Sequence, residues 1–168
     1  MLLENAEKPF IPLQKEIDFL RLYLSLESIR VPDLQYSIST DPALNTEQIL
    51  IPNMILQPYI ENAIWHGLSH KATDKQLQVR IFRENGTVNY EIEDNGVGRK
   101  KAAELKSLFR QKHESKGMEL LSKRFKLLNE EYSSEITTRI TDVMKNGEVM
   151  GTLVRIQVPV TISMQLQN

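Results

Sequence analysis

The sequence predicts an α+β layer fold, one sheet with helices on one face, and three observations point there. A long stretch near the N-terminus repeats apolar residues at helical spacing. Alternating stretches further on are joined around Asn-Gly pairs, which favour tight hairpins. Strands and helices are mixed with few clean βαβ units, which argues against a doubly wound parallel sheet.

Each element follows in chain order. Leu13 to Ile29 reads as a helix: Leu13, Ile17, Leu20 and Leu24 form one stripe, and Phe19, Leu22, Leu26 and Ile29 form a second beside it. Pro12 suits the first turn and Pro32 lies just past the end. So wide an apolar face needs a partner, either its own sheet or another subunit. Leu34 to Thr40 alternates as a strand, and Asp41-Pro42 marks a turn. Pro52 to Leu68 reads as a second helix, which Pro58 should kink or whose start it should shift. Gln76 to Arg83 and Thr87 to Glu93 are strands around Asn85-Gly86. A loop at Gly96 to Gly98 precedes a third helix from about Gly117 to Tyr132. Ile136 to Thr141 and Thr152 to Val160 complete the strands, with a turn near Asn146-Gly147.

The composition, 168 residues that are 40% hydrophobic and 26% charged, suits one domain with a real core. A net charge of −1 gives no field for nucleic acid or anionic membrane. The absence of cysteine removes disulfides, zinc-thiolate sites and cysteine nucleophiles. No apolar run is long enough to span a bilayer and no signal peptide opens the chain. The opening Met1-Leu2-Leu3-Glu4-Asn5 is unlike a natural start, so an excised part of a longer chain is expected.

Three clusters carry candidate chemistry. In Gln57-Pro58-Tyr59-Ile60-Glu61-Asn62-Ala63-Ile64-Trp65-His66-Gly67, Asn62 and His66 share a helix face while Glu61 points to the side. Such a set can rim a site, or can be the solvated face of an amphipathic helix. Glu93-Asp94-Asn95-Gly96-Val97-Gly98 follows a strand: the glycines admit close backbone approach, and a carboxylate there can accept from an exocyclic amino group. Asp-Asn-Gly is equally good turn chemistry. No Gly-Lys-Ser/Thr follows, so this is not a P-loop, and no third glycine makes it a dinucleotide fingerprint. Ser115-Lys116-Gly117 opens a helix whose amides, with Lys116 beside them, can hold phosphate oxygens, or is an ordinary capped start with Ser115 as N-cap.

The order of these clusters resembles the GHKL ATP-binding layout, the Bergerat-type two-layer α/β sandwich with a mixed sheet. An Asn-bearing helix, a hairpin, Asp-x-Gly-x-Gly, a glycine-led helix and a Gly-Thr strand follow one another. Leu13-Gln14-Lys15-Glu16-Ile17 through Glu27-Ser28-Ile29-Arg30, and Ile51-Pro52 through His66-Gly67, are similar to LytS-type sensor histidine kinases of two-component systems. The resemblance implies that residues 1–32 end a histidine-bearing dimerisation region, with an N-terminal helix, and that residues 33–168 are the ATP-binding catalytic domain. It implies ATP and Mg2+ as ligands. Asn62 would hold the metal and Glu61 would assist proton removal from the acceptor. His66 would contact phosphate and Asp94 the adenine amino group. Gly96 and Gly98 would shape the nucleotide loop, Lys116 and Gly117 would border the phosphates, and Thr152, after Gly151, would lie near adenine. Residues 99–114 would form the lid.

Two departures stand out. Ser115 occupies the first glycine position of the glycine-rich box, and Leu120 stands where many members have asparagine. The three histidines, His66, His70 and His113, lack the His-Phe-x-x-Asn context of a phosphoacceptor, so the chain is expected to bind ATP without phosphorylating itself. The implied partners are a histidine-bearing helix of the same kinase in a homodimer and a response regulator. The implied location is a cytoplasmic domain of a protein anchored in the bacterial inner membrane. An ATPase that hydrolyses with water, using Glu61 as base, and a non-catalytic dimerisation module are the alternatives.

Overall fold

The computed structural model describes residues 9–108 and 116–166. Ser115, His113, the opening residues and the end of the expected lid lie outside the described residues. The described elements are β1 (Phe10–Pro12), α1 (Leu13–Arg30), β2 (Leu34–Thr40), β3 (Leu50–Pro52) and α2 (Gln57–Asn62). They continue with β4 (Lys75–Glu84), β5 (Thr87–Asp94), α3 (Arg99–Leu108), α4 (Lys116–Tyr132), β6 (Thr137–Lys145), β7 (Glu148–Pro159) and α5 (Val160–Leu166).

Five strands form one mixed sheet in the order β2-β4-β5-β7-β6, with β2 parallel to β4 and every other pair antiparallel. The two-layer α+β fold expected from the sequence is therefore present. Strand alternation decides its faces. Leu77, Val79 and Ile81 of β4, Val88, Tyr90 and Ile92 of β5, and Val154, Ile156 and Val158 of β7 are all buried in one core with the helices. On the opposite face Glu91 is buried among long side chains: it accepts from Arg155 and pairs with Arg80 at 2.6 Å. The β4–β5 turn has both Asn85 (φ 49°) and Gly86 (φ 77°) left-handed, as a two-residue hairpin with right-handed strand twist requires. Asn146 (φ 52°) and Gly147 (φ 82°) repeat the device between β6 and β7.

In α1 the stripe Leu13, Ile17, Leu20 and Leu24 is buried in that core. The second stripe is not: Leu22, Leu26 and Ile29 are exposed. The sheet can cover only about a third of a helix circumference, and Glu16 and Glu27 take the remaining buried places.

Several expectations are corrected. The second helix does not begin at Pro52, which ends β3 and pairs with Phe10 of β1. Both strands have three residues, too few for a period to show. Met54 adopts φ 53°, and α2 begins only at Gln57, so that Pro58 sits in the first turn where its missing N–H costs nothing. After Asn62 the coil widens into a π-turn (Ala63–Gly67) and tightens into a 3₁₀ turn (Leu68–His70). Arg99–Leu108, read as an unpunctuated charged stretch, is a helix; it is rich in Lys, Ala, Glu and Leu and holds neither Gly nor Pro. The last strand ends at Pro159, which cannot continue the ladder as donor. The chain then turns into α5, whose Ile162 is buried. Among the described residues no helix is long and apolar enough to cross a membrane.

Candidate functional site

Asp94 ends β5, opposite Leu77 of β4 and Thr152 of β7. Its side chain is only 5% exposed. The Gly96 amide donates to Oδ1 at 2.8 Å, and the Thr152 amide donates to the same carboxylate. Burial pushes the carboxyl up to about 6, against the opposing pull of those two amides. Three glycines let the backbone close around it. A Cβ on Gly67 would stand 3.0 Å from Asp94 Oδ1, one on Gly96 would stand 2.5 Å from the Gly67 carbonyl carbon, and one on Gly151 would overlap the Asp94 carbonyl oxygen. Asn95 ties down the same corner: its Oδ1 accepts from the Gln76 amide at 2.8 Å and its Nδ2 donates to the Asp74 carbonyl at 2.9 Å.

A cavity of about 270 Å³ opens over Asp94. From α2 and the π-turn it is lined by Tyr59, Asn62, Ala63, His66 and Gly67, and from the sheet by Ile140, Thr152 and Val154. Gly98, Arg99, Ala102 and Ala103 close the side from which α3 departs. The π-turn carries both His66 and Gly67, and Val97 N–H caps the Gly67 carbonyl at 3.3 Å, so the Asp94 loop and α2 are joined at the cavity floor. Tyr59 donates to or accepts from Thr138 at 3.2 Å, which fixes the aromatic wall. Arg99 Nε donates to Asp142 Oδ1 at 3.0 Å, mooring α3 to β6 and holding the Asp142 carboxyl below its ordinary range. Because both partners are partly exposed, this tether is worth a few tenths of a kcal/mol to about 1. Arg99→Ala is accordingly expected to leave the melting temperature within about 4 °C while raising amide exchange in α3.

Of the residues singled out in the sequence, the structure brings Asn62, His66, Asp94, Gly98 and Thr152 together in one cavity lining. Gly96 stands behind Asp94 rather than in the lining. Glu61 lies outside it: its carboxylate accepts from Gln57 Nε2 at 2.8 Å, and its charge is felt by Tyr23 of α1. Lys116 and Gly117 open α4, and Gly117 approaches Pro58 rather than the cavity; the Lys116 side chain is outside the described set. Leu120 is 65% exposed. Gly67 and Tyr59 belong to the site although the residue types alone gave no role to either. Arg99, Ala102, Ala103, Ile140 and Val154 join it through tertiary packing.

No family model matches the chain. The sensor protein LytS of Bacillus subtilis (strain 168) is 36% identical over 96 residues, and that of Bacillus cereus (strain ATCC 14579) is 33% identical over 96 residues. The sensor histidine kinase/phosphatase LytS of Staphylococcus aureus (strain N315) is 31% identical over 97 residues. In each case 57% of this chain matches 16% of the relative, so the chain corresponds to a small part of those proteins. Among solved structures, the catalytic domain of histidine kinase ThkA superposes with a TM-score of 0.53 at 13% identity, covering 92% of this chain and 97% of that one. The mycobacterial sensor histidine kinase MprB gives 0.58 at 15% identity, covering 89% and 95%. This is the histidine kinase catalytic fold. The GHKL-type resemblance read from the sequence is thereby borne out, and LytS-type sensor kinases are the sequence relatives. Within the histidine kinase catalytic fold, the cavity over Asp94 sits between the Asn62 helix and the start of the expected lid.

Proposed function

We propose that this chain binds Mg-ATP and supplies the catalytic half of a two-component sensor histidine kinase, transferring the γ-phosphoryl group to a histidine outside residues 1–168. The observation that carries this is the Asp94 pocket: a buried carboxylate, held by two backbone amides and fenced by three glycines, at the floor of a cavity flanked by an amide and an imidazole.

The residues present fit the ligands. The apolar walls given by Ile140, Val154 and Ala63 suit a purine, and the free lone pairs of Asp94 suit its exocyclic amino group. Asn62 lines the same cavity, and its side chain has no hydrogen-bond partner among the described residues. Its oxygen is a hard ligand, and Mg2+ held by one such protein group completes its shell with phosphate oxygens and water. When bound, Mg2+ would neutralise charge on the triphosphate. His66 would bind phosphate, and the amides of Lys116 and Gly117 at the start of the long α4 would border it. Thr152 holds Asp94 through its amide and faces the adenine end. Glu61 lies outside the cavity lining and bears on Tyr23 of α1, which supports a role in taking a proton from an acceptor arriving from outside rather than from a water within. The acceptor would lie on a helix of the same kinase, in a homodimer, and a response regulator would receive the phosphoryl group next. A solved ThkA structure carries the response regulator TrrA, and the same class of partner is proposed here. The domain would work in the cytoplasm, attached to a membrane-anchored sensor.

Calorimetric titration with ATP, with and without magnesium, tests the reading. Magnesium-dependent binding is expected, and Asn62→Ala should lose the magnesium-dependent gain by at least about tenfold, since removing a ligand costs no less than removing its outer-shell support. A folded protein that takes up no nucleotide at millimolar ATP would overturn it. Steady phosphate release by the isolated chain would instead favour hydrolysis by water.

A further inference from the structure

Glu16 is a carboxylate with no part in the chemistry above, yet it is 3% exposed on the core side of α1, among Leu13, Ile17 and Leu20. Its Oε2 accepts the Met54 amide at 3.0 Å and its Oε1 the Leu56 amide at 3.4 Å; the Ile55 amide points to it as well. Met54 is in the left-handed region (φ 53°), and that kink is what turns three successive N–H groups toward one point. Such a concave run of amides is an anion nest. Here the anion comes from a residue 38 positions earlier in the chain.

The nest leads directly into α2. From the opposite side, Arg124 of α4 donates to the Asn53 carbonyl at 2.6 Å and to the Pro9 carbonyl at 2.8 Å, and its charge also bears on Glu16. Tyr90 of β5 brings up a fully buried hydroxyl that has no hydrogen-bond partner among the described residues and feels the Glu16 charge. Burial raises the Glu16 carboxyl, and the three amides and Arg124 oppose that rise. A short loop could be capped locally by Ser or Asn at far lower desolvation cost. A carboxylate carried in on a separate helix does something a local cap cannot: it makes the position of the loop depend on the position of α1.

We propose that Glu16 is a positioning residue for the nucleotide site, fixing the turn at 53–56 so that α2 presents Asn62 to the metal-phosphate end of the cavity. The proposal rests on the Mg-ATP reading above. A displacement of α1 would then be felt at Asn62 while the adenine end, which β5 and β7 hold through Asp94 and Thr152, stays in place.

The test is calorimetric titration with ATP, in magnesium and in chelator, of the wild-type chain, Glu16→Gln, Glu16→Asp and Arg124→Met, each with its thermal unfolding curve. Glu16→Gln turns an amide N–H₂ toward the nest. It is expected to bind ATP in chelator within about twofold of wild type and to lose roughly tenfold of the magnesium-dependent gain, the size seen when a metal ligand loses its outer support. Glu16→Asp, which keeps the charge on a shorter stem, should recover part of that gain. Arg124→Met releases the other side of the turn and should lower the same gain severalfold; it carries the test if Glu16→Gln does not fold. Variants that melt earlier but keep the whole magnesium-dependent gain would make Glu16 structural only and overturn the proposal, as would an equal loss with and without magnesium. A wild-type chain that binds no nucleotide overturns the Mg-ATP reading itself, a result distinct from wild-type binding that Glu16 does not influence.

Discussion

Asp94→Asn is expected to weaken nucleotide binding strongly and, at neutral pH, to make the protein more stable. The two effects share one cause. Burial raises the Asp94 carboxyl from its ordinary 3.8 to about 6, so above pH 6 the folded protein carries a charge it would rather leave in water. The sign follows from linkage. A carboxyl raised on folding binds its proton more tightly in the native state, so it favours folding most below its unfolded value and loses that contribution as pH rises through about 6. At pH 7.5 the penalty is about 3 kcal/mol, a conversion that a 5% exposed group permits. Asparagine can still accept from the amides of Gly96 and Thr152, but its N–H₂ then faces the cavity where the purine amino group is also a donor. Two opposed donors cost about 1–3 kcal/mol, roughly 5- to 150-fold in affinity. Denaturant unfolding of both proteins from pH 4 to 8 should show wild-type stability falling between pH 4 and 7 relative to the variant, with the two converging at the acid end. In wild type, ATP affinity should weaken as pH drops below about 6, because a protonated Asp94 gives up acceptor capacity. A variant that is less stable than wild type at pH 7.5 would show that the two amides outweigh desolvation.

The fold was legible where a local rule acts unopposed. Asn85-Gly86 and Asn146-Gly147 specify left-handed turns, and both hairpins follow. The apolar alternation of β4 and β5 can sit in only one register without exposing the core. It was illegible where the deciding partner lies far along the chain. Residues 52–56 look like the start of a helix, but Pro52 pairs with Phe10 and the amides of 54–56 turn to Glu16, so the helix waits until Gln57. The site divides in the same way. Asn62, His66, Asp94, Gly98 and Thr152 meet because each lies at an element end or in a motif whose chemistry can be named. Ile140, Val154, Ala102 and Ala103 meet them only through packing, and nothing in an alanine or a valine announces that. The apolar second stripe of α1 shows the opposite failure: its composition promises burial, and the shape of a single sheet face refuses it.

Gly151→Ala should cost more stability than any other single-methyl addition in the chain's described glycines. Gly151 sits at φ +151°, a backbone state that side chains rarely adopt, and a Cβ there would fall 1.8 Å from the Asp94 carbonyl oxygen, 2.8 Å from its carbonyl carbon and 2.9 Å from Asn95 Cα. All three are backbone atoms at the end of a central strand, so no rotamer change relieves the overlap. β7 would have to lift from β5 at the Asp94–Thr152 pair, breaking the approach that gives Asp94 its second amide. A loss of more than about 4 kcal/mol is expected, which would take most of the stability of a domain of this size. Gly86→Ala is the control: its φ of +77° is also left-handed, but no atom of the described residues lies within 4 Å of the added methyl. That change should cost about 1–2 kcal/mol, the backbone penalty alone. Denaturant midpoints for the two variants separate sterics from conformational preference. If they agree, the strands do not approach as closely at Gly151 as described. If Gly151→Ala is far the weaker, and the little that folds also binds ATP poorly, then one missing methyl group both lets the sheet close at its centre and builds the floor of the nucleotide cavity.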